Sequence, residues 1–435
     1  MEIVMPCGGR DIKIKIPDKN VLAFLEPTVV PGLKDVNGAI KKALENPIGS
    51  KRISEMAKPS SKVALLLDSW KRPTRHWMFL PAVVDELKKA GVRDENIKMI
   101  SANGMHRNST KEEREKKVGK EWLERFKYVE HNRSSQVKFV GITRRAANPV
   151  WINADVIEAD VKIAIGNIGF NILPGYSGGA KMICPGLASV DTINYNHRLD
   201  LSSETRSGSI DPNPCRIDLE EMGYLAGLDF IVNAIHSRDG EVVAVVAGHF
   251  IDAHRAGAKI CASIYMKEVP GKADILVASA NPRYTIGGAP IDDLPWAAMM
   301  TEKVVRPGGT MIFSHLSPDP KHPIVHTNCP YADDCESLFL ACRPDPEQVL
   351  IDICRCKIPG WFSLVYAVSR IMTEKDIVVV NPHFNKRILA GSGWKWAPSM
   401  QEAIDSALAK YGPDAKVIVA PYGGRMTFPK IRGEE

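Results

Sequence analysis

The sequence predicts an α/β fold: two domains with mostly parallel sheets and an active-site cleft between them. Three observations predict it. Short apolar runs alternate with helical patterns along the chain, as strand–helix–strand units do. The length, 435 residues, corresponds to two or three domains at roughly 100–200 residues each. Hydrophobic residues at 44% and charged residues at 25% are ordinary globular values, so a large core forms without staples and disorder is excluded as the main state.

Element by element, Lys62–Asp68 (KVALLLD) reads as a buried strand. Met78–Gly91 reads as a helix with Gly91 as its stop. Ile97–Ala102 is the next strand, and Ser109-Thr-Lys-Glu-Glu offers two overlapping capping boxes, Ser109 to Glu112 and Thr110 to Glu113. Asp160–Ile168, Asp229–Ile235 and Glu241–Ala247 read as strands. Ile275–Ser279, Thr310–Ser314, Asp376–Asn381 and Lys416–Pro421 do so further on. Glu268–Ala273 (EVPGKA) has linker composition, which divides the chain into residues 1–270, residues 271–415 and a tail, 416–435. Whether the tail returns to the first domain stays open.

Composition excludes several classes. Lys and Arg (57) exceed Asp and Glu (51) by 6, too small a surplus for a nucleic-acid or anionic-membrane footprint. No run of 18 apolar residues occurs, and Met1-Glu-Ile-Val-Met-Pro-Cys does not open as a signal peptide. Nine scattered cysteines do not make a disulfide framework; a reducing cytoplasm is the expected compartment.

Ligands of open α/β sheets sit beyond the carboxyl ends of strands. Three loops there are unusually polar: Ser69–His76 after Asp68, Asn103–Arg107 after Ala102, and the segment after Ile168 that contains Gly175-Tyr-Ser-Gly-Gly-Ala-Lys181. If their strands are neighbours, the loops converge. The consecutive glycines Gly178 and Gly179 allow backbone amides to form an anion nest, and Lys181 adds a cation or a nucleophilic amine. A tight surface turn with a solvated lysine fits the bare motif equally well. In Ser189–Leu199, a helix capped by Ser189, Val190, Ile193 and His197 share one face. His197 taken alone reads as a core histidine, with a metal ligand as the alternative. His106 is a loop histidine or a general base, and Arg72 and Arg75 are a solvated turn or an anion clamp.

Together these loops resemble the lactate racemase family. The matching pieces are Asp68…Arg72-Pro-Thr, Gly104-Met-His-Arg107, Tyr176-Ser-Gly-Gly-Ala-Lys181, Pro185-Gly186 and Thr192…Asn196-His197, with Ala415–Gly424 similar to the family's ending. The resemblance implies a nickel-pincer nucleotide (pyridinium-3,5-bisthiocarboxylic acid mononucleotide nickel) tethered to Lys181, with His197 as the nickel ligand. It implies His106 as a proton-transfer base and Arg72 as a clamp on substrate or cofactor. Asp68, Ser69, Ser177, Gly178, Gly179 and Ala180 are implied as cofactor contacts, the Ser177–Ala180 amides facing its phosphate. The implied reaction is racemisation or epimerisation of a 2-hydroxy acid by hydride removal and return at C2. Implied partners are that small-molecule acid and the enzymes that build the cofactor, with a homodimer left open.

Three departures from the family pattern point away from simple lactate. The second histidine, ten residues before Lys181, is replaced by Asn171, an amide that accepts no proton at neutral pH and is read here as a partner for a substrate hydroxyl. After Pro290-Ile-Asp292 the usual Gln and Lys are replaced by Ala297, Met299 and Met300, with Arg283 or Lys303 as the candidates to take over. Ser69 replaces an acidic residue beside Asp68.

A second constellation, His315, His322, His326, Cys329, Cys335, Cys342, Cys354 and Cys356, lacks a Cys-x-x-Cys pair and reads as free thiols and surface histidines before a metal site. Two alternatives to an isomerase are a one-direction 2-hydroxy acid redox enzyme, for which one base suffices, and a non-catalytic protein binding a nucleotide or sugar acid. A pure binder needs neither Lys181 nor His197.

Overall fold

The computed structural model describes residues 1–132, 134–281, 290–315, 341–381, 391–424 and 426–433; the side chains of residues 290–292 and 361 lie outside that set. The chain divides into two compact units, Val29–Ile264 and Met1–Thr28 with Tyr265–Glu435.

Val29–Ile264 is built on a six-stranded sheet. Its strands are β1 (Val63–Asp68), β2 (Ile97–Ala102), β3 (Lys127–Glu130), β4 (Val161–Asn167), β5 (Phe230–His236) and β6 (Val242–Gly248), in the order β6-β5-β4-β1-β2-β3. All neighbours are parallel except β5 and β6. Every residue of β1 and β5 is buried, the pattern of strands covered on both faces. Leu65, Leu67, Ile163, Ile165, Val232 and Ala234 point to one face, against Ile40 and Leu44 of helix α1 (Val36–Glu45) and Val83 and Leu87 of α2 (Leu80–Lys89). Each such aliphatic side chain contributes about 1.5–3 kcal/mol on burial. Ala64, Leu66 and Ala164 alternate onto the opposite face and are equally buried.

The local signals act largely where the sequence places them. Gly91 follows α2 with φ +77, which a β-carbon would disfavour. Of the two overlapping capping boxes, Thr110–Glu113 forms and opens α3 (Lys111–Val118), with the Glu113 N–H on Thr110 Oγ1 at 3.2 Å and the Thr110 N–H on Glu113 Oε2 at 2.7 Å. The Ser109–Glu112 box does not form, because the Ser109 hydroxyl and N–H are both taken by Glu130. Ser189 caps α4 (Val190–His197), and Asn213 caps α5 (Pro214–Ala226).

The other unit is also built on a six-stranded sheet, all parallel, in the order Lys395–Ala397, Asp376–Val380, Val305–Ser314, Ala273–Ser279, Val417–Ala420, Val21–Phe24. Ile275, Val277, Ile312, Val417 and Val419 pack there with Met400 and Ile404 of the helix Met400–Tyr411 and with Met5 and Ile14 of the hairpin Glu2–Lys15. These units differ from the division drawn on the sequence. Residues 1–28 and the tail belong to this unit, and their strands Val21–Phe24 and Val417–Ala420 join its sheet, where the fully buried tail strand satisfies its backbone on both edges. Among the described residues no helix is long and apolar enough to cross a membrane. The described cysteines are free thiols.

Candidate active site

The chain leaves β1 toward β2 and β3 on one side, then returns to lay β4 and β5 on the other. The carboxyl ends of β1 and β4 therefore flank the point where the winding reverses, the place where doubly wound sheets open a crevice. Because β4, β1 and β2 are adjacent, all three polar loops meet there.

Asp68 ends β1, and its carboxylate is fully engaged. It accepts from Thr74 Oγ1 at 2.6 Å, His76 Nε2 at 3.0 Å and Lys117 Nζ at 2.8 Å. Burial works to raise this carboxyl, but the charge of Lys117 and the bonds from His76 and Lys117 outweigh it and hold Asp68 well below the usual carboxylate range. Burial pushes both His76 and Lys117 below their ordinary values, against the pull of Asp68. Lys117, on the last turn of α3, also donates to the Arg72 carbonyl at 2.7 Å. Asp68 and Lys117 thus strap down the loop that carries Arg72. The cofactor contact inferred for Asp68 meets a carboxylate already committed to holding its own loop.

The first loop is stitched to the second. Ser69 Oγ lies 2.8 Å from His106 Nδ1, and Trp70 Nε1–H donates to the Arg107 carbonyl at 3.0 Å. The Arg107 guanidinium stacks 3.9 Å from the Trp70 ring centre and is bidentate to Glu113 at 2.8 Å to each oxygen. The second loop is tied to the third by the Gly104 N–H, which donates to the Gly186 carbonyl at 2.9 Å. Gly104 has φ +55, and a β-carbon there would stand 2.9 Å from the Pro185 carbonyl oxygen.

The third loop begins with a short antiparallel pair, Phe170–Asn171 against Gly175–Tyr176. Asn171 Oδ1 accepts the Leu173 N–H at 3.1 Å, which fixes the amide's orientation; its Nδ2 has no hydrogen-bond partner among the described residues. Asn171 therefore offers a donor. Fully buried Arg216 closes the hairpin from α5, donating to the carbonyls of Pro174 (3.0 Å) and Tyr176.

The glycine-rich turn behaves differently from an open anion nest. The Ser177 N–H donates to the Gly169 carbonyl at 2.8 Å, and the Gly179 N–H to Asn233 Oδ1 at 3.0 Å. The Ser177 hydroxyl accepts the Gly169 N–H at 2.9 Å and donates to the Asn167 carbonyl at 3.1 Å. Two of the four amides assigned to a phosphate are thus spent inside the fold. Gly178 is required for another reason: φ is +79, and a β-carbon would come within 2.7 Å of both Asn233 Oδ1 and Ile168 Cγ1. Ala180 is wholly buried.

Lys181 follows on the 3₁₀ turn Gly179–Met182. Its amine makes no hydrogen bond and has no carboxylate partner among the described residues. Burial, followed by the charge of Arg72, draws its pKa down to about 8. His197 ends α4, one tenth exposed or less, and burial together with the Lys181 charge lowers its pKa to about 3. The two groups are within electrostatic reach of each other, and the imidazole is neutral at ordinary pH. The Cys184 and Cys215 thiols are also close enough to act on Lys181, and burial raises both, Cys215 to about 12.

α4 is locked to α5 by a network of which only Asn196 stood in a motif recognised in the sequence. Asn196 Nδ2 donates to Asp218 Oδ2 at 2.8 Å, Cys215 Sγ–H to Asn196 Oδ1 at 3.2 Å, and Asn148 Nδ2 to the same Asp218 oxygen at 3.1 Å. Lys117, Asn233 and Arg216 were missed as well. Asn233 was marked only by an amide inside an otherwise apolar strand, whereas Lys117 and Arg216 sit in helices already rich in charge and carried no mark.

Among the described residues no group of three or more His, Cys, Asp or Glu side chains could hold a metal ion. What Lys181 and His197 offer there is an amine without a hydrogen bond among the described residues and a neutral imidazole, the form of histidine that can act as a metal ligand. In the second constellation His315 Nε2 is bonded to Asp293 Oδ2 at 3.1 Å, both buried; His322, His326, Cys329 and Cys335 lie outside the described residues. Cys342 is buried, whereas Cys354 and Cys356 are exposed. Ala297 and Met300 are buried in the helix Pro290–Thr301, and Arg283 lies outside the described residues.

The sequence profile of the lactate racemase N-terminal domain matches residues 7–208. The chain is 30% identical over 440 residues to a lactate racemase of Thermoanaerobacterium thermosaccharolyticum, covering 97% of each chain. It is 28% identical over 437 residues to one of Lactiplantibacillus plantarum, covering 97% of this chain and 98% of that one. The lactate racemase apoprotein structure from T. thermosaccharolyticum superposes with a TM-score of 0.84 at 24% identity, covering 99% of this chain and 100% of that one. A Thermotoga maritima protein solved by structural genomics superposes at 0.63 with 15% identity, covering 91% and 97%.

Proposed function

This chain belongs to the lactate racemase family, and we propose that it interconverts the configurations at C2 of a 2-hydroxy acid other than simple lactate, with a nickel-pincer nucleotide tethered to Lys181. At the coarser level it is a racemase-type isomerase of a hydroxy acid. The observation that carries the finer reading is the pairing of Lys181 with His197. An amine with a pKa of about 8 is partly unprotonated near neutrality and so available for covalent attachment, and it lies within reach of a histidine kept neutral by burial.

When bound, the cofactor would supply the hydride chemistry at C2. The chain's own residues do the rest. Lys181 would carry the tether, and His197 would hold the nickel through a ring nitrogen. His106 removes the substrate hydroxyl proton as C2 becomes trigonal and returns it as C2 is rebuilt. Arg72, its loop strapped by Asp68 and Lys117, presents a guanidinium to a carboxylate or phosphate. Asn171 donates from Nδ2 to the oxygen on C2. Ala297, Met299 and Met300 in place of a polar clamp support a substrate other than simple lactate.

The test is production of the chain together with pincer-cofactor biosynthesis enzymes. Intact mass and nickel content follow, then chiral analysis of D- and L-lactate and longer 2-hydroxy acids. An adduct on Lys181, one nickel per chain and loss of both in Lys181→Ala are expected; an unmodified Lys181 under conditions that load a known member would overturn the reading. One observation favours a second outcome. Asn171 supplies a donor in place of a second base, so one-direction oxidation would be recognised by keto acid release without the inverted alcohol.

A further inference from the structure

His254 is wholly buried on the helix Asp252–Tyr265, and its ring is held at both nitrogens. Nε2 lies 3.0 Å from the Ser177 carbonyl oxygen, and Nδ1 lies 3.4 Å from Nη1 of Arg255. A carbonyl only accepts and a guanidinium only donates, so the ring proton sits on Nε2 and the lone pair on Nδ1. Arg255 is itself fixed, bidentate to Glu220 of α5 at 2.6 and 3.0 Å. Burial, with the charges of Arg216 and Arg255, holds the imidazole well below its ordinary value and keeps it neutral.

The Ser177 carbonyl opens the turn that ends at Lys181. Within that turn the Gly179 N–H is taken by Asn233 of β5, and the Lys181 N–H donates to the Gly178 carbonyl at 3.2 Å. The imidazole packs so closely that a β-carbon on Gly179 would stand 3.0 Å from His254 Cδ2. Ser177 and Gly179 are therefore gripped by side chains from a helix and a strand, two residues before the amine-bearing one. We propose that His254 is a positioning residue of Lys181: its Nε2–H pins the Ser177 carbonyl, and with Asn233 it sets the turn that carries the amine. The inference rests on the reading of Lys181 as the attachment residue. A neutral donor suits the place, because Arg216 and Arg255 already bring two positive charges to the surroundings of the ring.

The experiment uses the full-length, cofactor-free chain. Long-range ¹H–¹⁵N spectra of ¹⁵N-histidine-labelled protein, assigned with His254→Gln, are expected to show the His254 proton on Nε2. Trace labelling with acetic anhydride across a pH series, read at Lys181 by peptide mass, is expected to give a midpoint near 8 in the parent. His254→Leu packs but cannot donate. It is expected to raise that midpoint by about one unit, a tenfold fall in the unprotonated fraction, as the amine escapes part of its burial. His254→Gln, whose side-chain N–H stands in for Nε2–H, is expected to keep the midpoint near 8. A His254 proton on Nδ1 in the parent overturns the proposal without any variant having to fold, and an unmoved midpoint in His254→Leu overturns it as well. A raised midpoint in His254→Leu, with no adduct on the parent's Lys181 when cofactor-biosynthesis enzymes are co-produced, supports the hold and overturns Lys181 as the attachment residue. The two readings thus fail separately.

Discussion

The ammonium of Lys117 lies 2.8 Å from the carboxylate of Asp68, and both side chains are about nine-tenths buried. Together they hold the loop on which Arg72 sits. Removing one partner strands the other charge. Lys117→Met is expected to cost about 3–5 kcal/mol in chemical denaturation, whereas the double variant Asp68→Asn/Lys117→Met recovers much of that loss.

The same carboxylate gives a pH signature. Asp68 is held below its unfolded value near 3.8, so its contribution is fully present above that pH and is lost as pH falls toward the folded value. Thermal stability of the parent should drop below about pH 4 more steeply than that of Asp68→Asn, and their stability gap should narrow with acidification. A constant gap from pH 7 to pH 3 contradicts this.

Buried histidines act at higher pH. Burial lowers His197 to about 3 and His131 and His236 to about 4, so each must gain a proton on unfolding below about 6.5. Folding stability is expected to fall as pH drops from 6.5 to 4. His197→Gln should flatten part of that slope in urea melts taken at half-unit intervals.

Burial lowers the Lys181 pKa, and the charge of Arg72 lowers it further. In cofactor-free protein, the ¹³C signal of reductively methylated Lys181 is expected to titrate near 8. Arg72→Met should move the midpoint upward, and with it the pH at which the amine becomes available for attachment. A midpoint unmoved by Arg72→Met would place the whole effect in burial.

Asn171→Asp keeps the oxygen that accepts the Leu173 N–H and replaces the N–H donor with a second acceptor. Because the position is buried, the added carboxylate should lower the melting temperature, so turnover is compared well below it; there kcat/KM on a 2-hydroxy acid is expected to fall about tenfold or more, the cost of an unmade bond to a charged or polar oxygen.

Much of this was legible in the residues because local rules acted alone. Gly91, the Thr110–Glu113 box and the Ser189 cap speak to atoms three or four residues away, and the strands β1, β2 and β4 announce themselves by unbroken apolar runs. The convergence of the loops bearing Arg72, His106 and Lys181 followed once those strands proved adjacent. What stayed hidden was long-range. Lys117 reaches Arg72 from 45 residues away, Asn233 reaches Gly179 from 54, and Arg216 reaches Pro174 from 42. The glycine pair was read as a cradle because φ > 0 serves anion nests and close packing alike. Only the position of Asn233 tells the two apart at Gly179.

Because residues 29–264 interrupt a unit assembled from both sides of them, synthesis and folding cannot proceed in the same order. The strand Val21–Phe24 leaves the ribosome early, yet its partner Val417–Ala420 is nearly 400 residues downstream. At roughly 5–20 residues per second the early strand waits on the order of twenty seconds or longer with one backbone edge unmet. Meanwhile the inserted segment has every strand of its own sheet in hand. The nascent chain can therefore finish the interior unit first, Lys181 included, before the flanking sheet is sealed.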